Sequence, residues 1–198
     1  MNTIVVATQN KGKVKEIKEM LLGLNVDVKT MGEVGIDIDI EENGTTFEEN
    51  ALIKARAISA LTDAIVIADD SGLEIDYLGK EPGVYSARYL GEDTPYEEKN
   101  KIIMERLLGV PKEKRTARFV CVMAMCQKGK PEVTTRGVIE GYIGDHAEGE
   151  NGFGYDPIFF VDALGTSTAN ISMEEKNKIS HRGQAVRKLA EEIRKRIM

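Results

Sequence analysis

The sequence predicts an α/β fold in which helices pack on a mixed β-sheet. Residues 3–7 and 64–68 are short apolar runs rich in β-branched residues, and helical periodicity lies between them, a pattern typical of parallel strands. Residues 119–125 and 133–143 are longer strand-like runs joined by a short turn with glycine and proline, which indicates an antiparallel hairpin. Parallel units and a hairpin in one chain predict a mixed sheet.

Composition sets the size and class of the protein. A chain of 198 residues has room for one domain, or for two closely packed lobes, with a substantial core. The formal net charge of −6 argues against a protein that wraps nucleic acid. No apolar run approaches the ~20 residues of a membrane helix, and the N-terminus lacks the apolar core of a signal peptide. We therefore expect a cytoplasmic protein that binds neither nucleic acid nor membrane.

The two cysteines predict neither a disulfide nor a zinc site. Cys121 and Cys126 fall in one predicted strand, roughly 16 Å apart at the usual strand rise. A disulfide needs Cα atoms within ~7 Å of each other. Together with His146 and His181, the cysteines match no usual spacing of zinc ligands.

The loop after the first strand is a candidate anion site. Residues 8–13 connect the strand to a helix with an apolar stripe at Val14, Ile17 and Leu21. A helix N-terminus presents N–H groups and the positive end of the helix dipole to an anion. Ala7 stands where a Walker A loop has its first glycine, so this is not a P-loop. A solvated turn with two surface lysines is the alternative.

Charged side chains follow in the next segment. Residues 26–40 alternate apolar and polar residues, which predicts one or two half-buried strands, and Glu41 and Glu42 follow at their end. Exposed acids are the default interpretation of this pair, and metal ligation is the alternative. A capping box then starts a helix on which Asn50 and Lys54 share one face.

Two adjacent carboxylates end the second apolar run. Asp69 and Asp70 are followed by Ser71 and Gly72, and we expect a turn there before a strand resumes over residues 73–78. If the strand continued instead, the two carboxylates would point to opposite faces. Carboxylates at the end of a buried strand typically hold Mg²⁺ against a phosphate. An Asp-rich loop without a ligand is the alternative.

The second half of the chain contains a candidate site for a planar ligand. Glycines on both sides of Phe153 leave room for such a ligand to stack on the ring, although a turn with a core-pointing Phe also explains the pattern. Thr94 and Pro95 are expected to start a helix that carries no chemistry. A second capping box opens a short helix with Lys176, and residues 180–183 break it before a final amphipathic helix.

Five motifs are spread over essentially the whole chain. They are Ala7-Thr8-Gln9-Asn10-Lys11-Gly12-Lys13, Thr46-Phe47-Glu48-Glu49-Asn50-Ala51, Ala68-Asp69-Asp70-Ser71-Gly72-Leu73, Gly152-Phe153-Gly154-Tyr155-Asp156-Pro157 and Ser180-His181-Arg182-Gly183. Each motif is modest alone, but five in this order are highly specific. The chain resembles the inosine/xanthosine triphosphate pyrophosphatase family, the house-cleaning enzymes that hydrolyse non-standard purine nucleoside triphosphates.

The resemblance implies a fold, an assembly and a reaction. The fold would be a single two-lobed α/β domain over residues 1–198, with an elongated mixed sheet flanked by helices and the active site in the cleft between the lobes. The protein would be a homodimer. The reaction would be Mg²⁺-dependent hydrolysis of ITP, dITP and XTP to the nucleoside monophosphate and pyrophosphate.

The resemblance also implies roles for particular residues. Asp70 would accept the proton of the attacking water and would bind Mg²⁺ together with Glu41. Lys54 would assist in holding the triphosphate, and Ser71 would contact substrate. The substrate-binding residues of the first loop would be Thr8, Gln9, Asn10, Lys11, Gly12 and Lys13. The base and ribose pocket would be formed by Phe153, Gly154, Tyr155, Asp156, Lys176, His181 and Arg182.

Two alternatives belong to other classes of protein. A haloacid-dehalogenase-type phosphatase needs a second Asp two residues after its nucleophile, but Ser71 and Gly72 occupy those positions, so this alternative fails. A non-catalytic regulator on the same fold would bind Mg-nucleotide without releasing pyrophosphate, and a pyrophosphate-release assay separates it from the enzyme. The intact Asp70 favours the enzyme.

Overall fold

The computed structural model describes residues 2–198, and over that range it contains seven strands and five α-helices. In chain order they are β1 (Asn2–Val6), α1 (Lys11–Leu21), β2 (Val26–Thr30), α2 (Phe47–Ser59), β3 (Ile65–Ile75), α3 (Tyr96–Arg106), β4 (Thr116–Cys126), β5 (Val133–Ile143), β6 (Phe159–Val161), β7 (Thr166–Ser167), α4 (Met173–Ile179) and α5 (His181–Ile197). This succession of strands and helices confirms the predicted α/β class.

The seven strands form one mixed sheet in the order β2-β1-β3-β4-β5-β6-β7. β1 pairs in parallel with β2 and β3, whereas β6 pairs antiparallel with β5 and β7. Val6 lies opposite Ile67, and the Ala7 N–H extends this pairing by donating to the Ile67 carbonyl at 2.8 Å. The loop that follows β1 therefore begins beside Ala68, next to the two carboxylates of β3.

The chain divides into two compact units. Unit 1 comprises Met1–Asp70, Cys121–Gly137 and His181–Met198, and unit 2 comprises Ser71–Val120 and Val138–Ser180. Strands β3, β4 and β5 each contain residues of both units. The single domain over residues 1–198 stays a prediction.

Each unit has its own apolar core. In unit 1, side chains of β1, α1 and α5 such as Ile4, Ile17 and Leu189 are fully buried together. In unit 2, Leu73 of β3 and Ile103 of α3 belong to a second buried cluster. The apolar stripe of α1 and the amphipathic pattern of α5 were predictable from the sequence because each faces the core of unit 1.

The segment after β2 differs from its prediction. Residues 36–40 form no strand, and β2 ends at Thr30. The three isoleucines of this segment are nevertheless less exposed than Asp37 and Asp39. The alternation of apolar and polar residues therefore indicates a segment in which the isoleucines are partly buried and the aspartates face solvent. A strand also needs a hydrogen-bonding partner, which alternation does not specify.

The predicted turn at Asp69 and Asp70 is also wrong. β3 runs without interruption from Ile65 to Ile75, through Ser71 and Gly72. It lies between β1 and β4 in the sheet, and pairing with neighbouring strands overrides the turn preference of these polar residues. Of the strand predicted over residues 73–78, residues 73–75 belong to β3, whereas Asp76–Leu78 form a 3₁₀ helix.

Two helix starts differ from prediction as well. α3 has Pro95 at its N-cap position, and the Thr94 hydroxyl donates instead to the Leu90 carbonyl at 2.7 Å. α5 already begins at His181, so residues 181–183 are its first turn and not a break. The capping boxes that open α2 and α4 are confirmed.

The state of the cysteines and the apolar character of the helices were also predicted from the sequence. Cys121 and Cys126 are both buried free thiols, and burial raises the pKa of Cys121 to about 12. Across residues 2–198, no helix has the length and apolar character needed to cross a membrane.

Candidate active site

The loop between β1 and α1 is folded around its capping residue. Asn10 Oδ1 accepts a hydrogen bond from the Lys13 N–H at 3.1 Å, and the Asn10 N–H donates to Thr8 Oγ1 at 3.2 Å. Lys11 and Gly12 complete the first turn of α1, which contains no acidic residue. Since no carboxylate in that turn offsets the positive end of the helix dipole, the loop is shaped to receive an anion.

A cavity of about 960 Å³ opens beside this loop. Thr8, Gln9 and Lys11 line it from the loop, and Met31 and Ile36 line it from the segment after β2. The volume lies in the range of small-molecule sites. Three of the predicted substrate-binding residues therefore line a cavity that a ligand can enter, whereas Asn10 and Lys13 are not part of its lining.

Asp69 and Asp70 have different partners because successive residues of a strand point to opposite faces. Asp69 Oδ2 lies 3.0 Å from Lys13 Nζ. Asp70 Oδ1 lies 3.7 Å from Lys54 Nζ. Each carboxylate thus has its own lysine, one from the start of α1 and one from α2.

Asp69 belongs to a buried ion network with Arg182 and Glu16. Its Oδ2 lies 3.4 Å from Arg182 Nη2, and Arg182 Nη1 donates to Glu16 Oε2. Glu16 is 3%, Asp69 0% and Arg182 1% exposed. Burial alone would raise the pKa of Asp69, but Lys13 and Arg182 outweigh it and hold that pKa well below its usual value. Asp69 is therefore ionised and holds the Lys13 ammonium in place.

Asp70 lies in a different electrostatic environment. The Lys54 ammonium is 3.1 Å from Glu42 Oε2 and 3.7 Å from Asp70 Oδ1, so it bridges two carboxylates. Burial raises the pKa of Asp70 to about 6; Lys54 and Lys13 oppose this effect, and Glu42 and Asp69 add to it. A carboxyl group with such a pKa is suited to accept a proton near neutral pH.

Glu42 is the residue of the Glu41-Glu42 pair that reaches Lys54. Glu41 is exposed, whereas Glu42 is half-buried, and the metal-binding role predicted for Glu41 stays a prediction. Asn50 holds the loop that follows, because its Oδ1 accepts the Gly44 N–H at 2.8 Å. A Cβ at Gly44 would lie 2.6 Å from that oxygen, so this close approach requires glycine.

In unit 2, Asp156 is the centre of the loop around Phe153. Its Oδ2 accepts the Phe153 N–H at 2.9 Å and lies 2.7 Å from Lys176 Nζ. Its Oδ1 accepts a hydrogen bond from Thr168 Oγ1 at 2.8 Å. Gly152 has a φ of +73°, and a Cβ there would collide with the Asp156 carboxylate. Asp156 is 2% exposed, so its carboxylate holds the loop together.

Phe153 and Lys176 form a neighbouring aromatic and cationic pair. The Lys176 ammonium lies 4.9 Å from the centroid of the Phe153 ring. Phe153 is only half-buried, whereas Lys176 is 4% exposed. The ring therefore keeps an accessible part, as stacking on a planar base requires.

The other predicted pocket residues lie in several elements. Ser71 is a residue of β3 and His181 is the first residue of α5. Tyr155 is buried and its hydroxyl donates to the Ser86 carbonyl at 2.6 Å, which makes it part of the framework. The Gly154 carbonyl accepts a hydrogen bond from Asn100 Nδ2 at 3.1 Å. Contact of these residues and of Arg182 with a nucleotide stays a prediction.

Sequence reasoning missed two residues that support the site. Glu16 follows Lys13 by three positions, which places both on one face of α1, beside the inward stripe that includes Ile17. The position of Glu16 beside that stripe was a usable signal that Glu16 is buried, but it does not indicate Arg182 as its partner. Asn100 lies on α3, the helix that was expected to carry no chemistry, and its spacing from Tyr96 is the only sequence signal.

Comparison with known proteins places the chain in a family. The Ham1 family model matches residues 4–192. The dITP/XTP pyrophosphatase of Caldanaerobacter subterraneus subsp. tengcongensis is 54% identical over 198 residues, which are 100% of this chain and 98% of that protein. The dITP/XTP pyrophosphatase of Thermoanaerobacter sp. (strain X514) is 52% identical over 194 residues, 98% of each chain.

A solved structure agrees with these relatives. The HAM1 protein from Coxiella burnetii is 40% identical, with a TM-score of 0.89, and the match covers 98% of this chain and 100% of that one. The matches span nearly the whole sequence and confirm the resemblance that the five motifs indicated. By its sequence and its fold, this chain belongs to the Ham1 family.

Proposed function

We propose that this protein hydrolyses dITP, ITP and XTP to the nucleoside monophosphate and pyrophosphate with the help of Mg²⁺. The chain is an enzyme, a hydrolase acting on triphosphate bonds, on the strength of its family and of relatives named dITP/XTP pyrophosphatase at 52–54% identity. The proposed substrate set also follows those names. From the family resemblance we further propose a cytoplasmic homodimer.

The observation that carries the residue-level proposal is the position of Asp70 beside the first loop. β1 and β3 are parallel neighbours, so the helix start that suits an anion and the carboxyl group that suits a proton acceptor lie in one region of unit 1. In the proposed roles, Thr8, Asn10 and the first turn of α1 bind the triphosphate. Lys13, held by Asp69 at 3.0 Å, neutralises phosphate charge.

The residues around Asp70 fit a hard divalent cation. Glu42 and Asp70 are carboxylates that share one ammonium, and oxygen donors of this kind suit Mg²⁺. Among the described residues, no group of three His, Cys, Asp or Glu side chains could hold a metal ion. Mg²⁺ is usually held by one or two carboxylates together with the substrate phosphates and water. We therefore assign Asp70, with a carboxylate of the Glu41-Glu42 pair, to the metal.

The proposed chemistry requires little covalent help from the protein. Cleavage of a phosphoanhydride needs an aligned water, neutralised phosphate oxygens and an acceptor for the proton of the water. Bound Mg²⁺ would supply part of the charge neutralisation. A carboxylate oxygen of Asp70 accepts the proton as the water oxygen bonds to phosphorus, and pyrophosphate leaves. Lys13 and Lys54 stabilise the negative charge of the phosphate groups.

The Phe153 loop is proposed to select the base. Inosine and xanthosine carry a 6-oxo acceptor where adenosine carries a 6-amino donor. Donors held by the protein would be left without partners against adenine, an error that costs about 10⁴-fold in the best-built sites. The Phe153 N–H donates to Asp156 and the Asp156 N–H to the Phe153 carbonyl. The donors proposed to face the base in unit 2 are therefore Lys176 and the backbone N–H groups of Gly154 and Tyr155. Phe153 stacks on any purine and does not discriminate.

Lys13→Ala is expected to raise KM and lower kcat together. The ammonium would interact with phosphate in the ground state and in the transition state, so its removal affects both parameters. Steady-state kinetics with dITP, scored by pyrophosphate release, measures this. Lys101→Ala is the matched control because Lys101 is an exposed lysine on α3, away from the cavity beside the first loop. Unchanged kinetics in Lys13→Ala would show that the first loop does not bind the triphosphate.

Removal of divalent metal is expected to abolish pyrophosphate release. Excess EDTA should stop turnover, and MgCl₂ added beyond the chelator should restore it, whereas added NaCl of equal ionic strength should not. The reason is that the carboxylates of Asp70 and Glu42 offset much of the lysine charge that faces a triphosphate. Full turnover in EDTA would contradict the metal assignment and leave the lysines as the source of charge neutralisation.

A further inference from the structure

Helix α3 supports the loop that carries Phe153. The Tyr96 ring meets the Tyr155 ring edge-on, with 5.2 Å between centroids and 90° between planes. A Cβ at Gly154 would lie 3.6 Å from the Tyr96 ring, which is ordinary van der Waals distance, so the ring lies beside this backbone. One turn further along α3, Asn100 Nδ2 donates to the Gly154 carbonyl at 3.1 Å. Two side chains of one helix face thus hold the residues directly after Phe153.

Asn100 stands at a position where an apolar residue would be expected. It is 5% exposed, and its Oδ1 has no hydrogen-bond partner within residues 2–198. A buried acceptor without a partner costs stability, and a leucine of similar size would avoid that cost. Unlike leucine, Asn100 can donate a hydrogen bond to the Gly154 carbonyl.

The Gly154 carbonyl lies in a glycine-rich loop whose backbone conformation depends on contacts with other residues. Gly152 and Gly154 flank Phe153, with φ values of +73° and +67°, and glycine restricts the backbone least of all residues. The Asp156 carboxylate fixes the Phe153 N–H on one side. Asn100 fixes the peptide on the other side.

We propose that Asn100 is a positioning residue for base selection. It aligns the backbone donors that follow Phe153 with the 6-oxo edge of the purine, so that this edge and not the 6-amino edge is matched. The inference rests on the proposed function of the Phe153 loop. Asn100 itself does not touch the nucleotide, because its amide is directed to the Gly154 carbonyl.

The test is substrate discrimination in Asn100→Leu, with Asn100→Ser as a smaller change should the leucine variant fail to fold. We expect kcat/KM for dITP to fall by about 10-fold, the worth of one hydrogen bond, and kcat/KM for dATP to change less. The ratio of kcat/KM for dITP to kcat/KM for dATP should therefore become smaller. The affinity of IMP relative to AMP, measured by calorimetry, should narrow in the same way. Lys101→Ala is the matched control, since Lys101 is an exposed neighbour on α3.

The outcomes separate this inference from the proposed function. A folded Asn100 variant with the wild-type ratio overturns the positioning role, even if its Tm is lower, because a structural role alone does not change discrimination. Phe153→Ala provides the comparison. If it leaves KM unchanged for both substrates, the base loop itself is wrongly assigned. If it weakens both substrates while the Asn100 variants keep the ratio, only the role of Asn100 is wrong.

Discussion

Asp70→Asn is expected to lower kcat by about 100-fold or more, the usual loss when a general base is removed, while the protein stays folded. The amide keeps the side-chain shape but can neither accept the proton of the water nor bind metal as a carboxylate does. The loss should appear as pyrophosphate release from dITP that is slower by at least this factor at saturating substrate and metal.

The effect of Asp70→Asn on Tm can also be predicted and measured. Burial raises the pKa of Asp70 to about 6, above its unfolded value, so the folded state binds this proton more tightly than the unfolded state. The stability that protonation contributes is lost as pH rises through 6, and at pH 8 the buried charge is unfavourable. A neutral amide carries no such charge. The Tm of Asp70→Asn at pH 8 should therefore not fall below that of the wild type.

Asp63→Asn is the matched control for Asp70→Asn, because the Asp63 side chain is 90% exposed. It should leave both kcat and Tm unchanged. Near-normal turnover in a folded Asp70→Asn variant would remove Asp70 from the proton-accepting role. Asp69, the neighbouring carboxylate, would then be the first residue to test.

Arg182→Ala is expected to reduce the free energy of unfolding by about 3–5 kcal/mol, the cost typical of removing one partner of a buried ion pair. Burial would lower the pKa of Arg182, but Asp69 and Glu16 outweigh it and raise that pKa, so the guanidinium is charged. Its removal leaves two buried carboxylates with less positive charge beside them. Urea denaturation followed by circular dichroism measures the change.

The control for Arg182→Ala is Arg187→Ala, an exposed arginine on the same helix, which should change stability little. Wild-type stability in Arg182→Ala would show that the ion network contributes nothing. The family resemblance places Arg182 in the base pocket, and kinetics tests that separately. If the dITP-to-dATP ratio narrows in the folded variant, the guanidinium reads the base. If kcat/KM falls by the same factor for both substrates, Arg182 acts through Asp69 and Lys13.

Local features of the fold were predictable from the sequence. The capping boxes of α2 and α4 were found because both partners lie within one turn of each other. β5 was found over its full range, since its β-branched residues are bounded by turn residues. The errors over residues 36–40 and at Asp69-Asp70 share a cause: whether a segment pairs as a strand depends on its neighbours in the sheet, which short-range patterns do not contain.

The candidate site shows the same limit. Helical spacing placed Asn50 and Lys54 on one face, and the structure brings Lys54 to Asp70. Spacing could not say that Glu42 and not Glu41 would reach this lysine, because that depends on the path of an irregular loop. The pairing of Glu16 with Arg182 joins residues at opposite ends of the chain, so no local pattern reveals it.

Because β3 is uninterrupted, the position of each aspartate along the strand alone decides which face of the sheet its carboxylate occupies. Nothing in their chemistry distinguishes Asp69 from Asp70; only the alternation of the strand sends one to the interior arginine and the other to the lysine of α2. A deletion of one residue between Ile65 and Ala68 would put Asp70 in the place of Asp69 and Ser71 in the place of Asp70. An insertion would put Ala68 in the place of Asp69 and Asp69 in the place of Asp70, so either change removes one of the two carboxylates from its site. The segment before the carboxylates therefore tolerates changes of residue far better than changes of length.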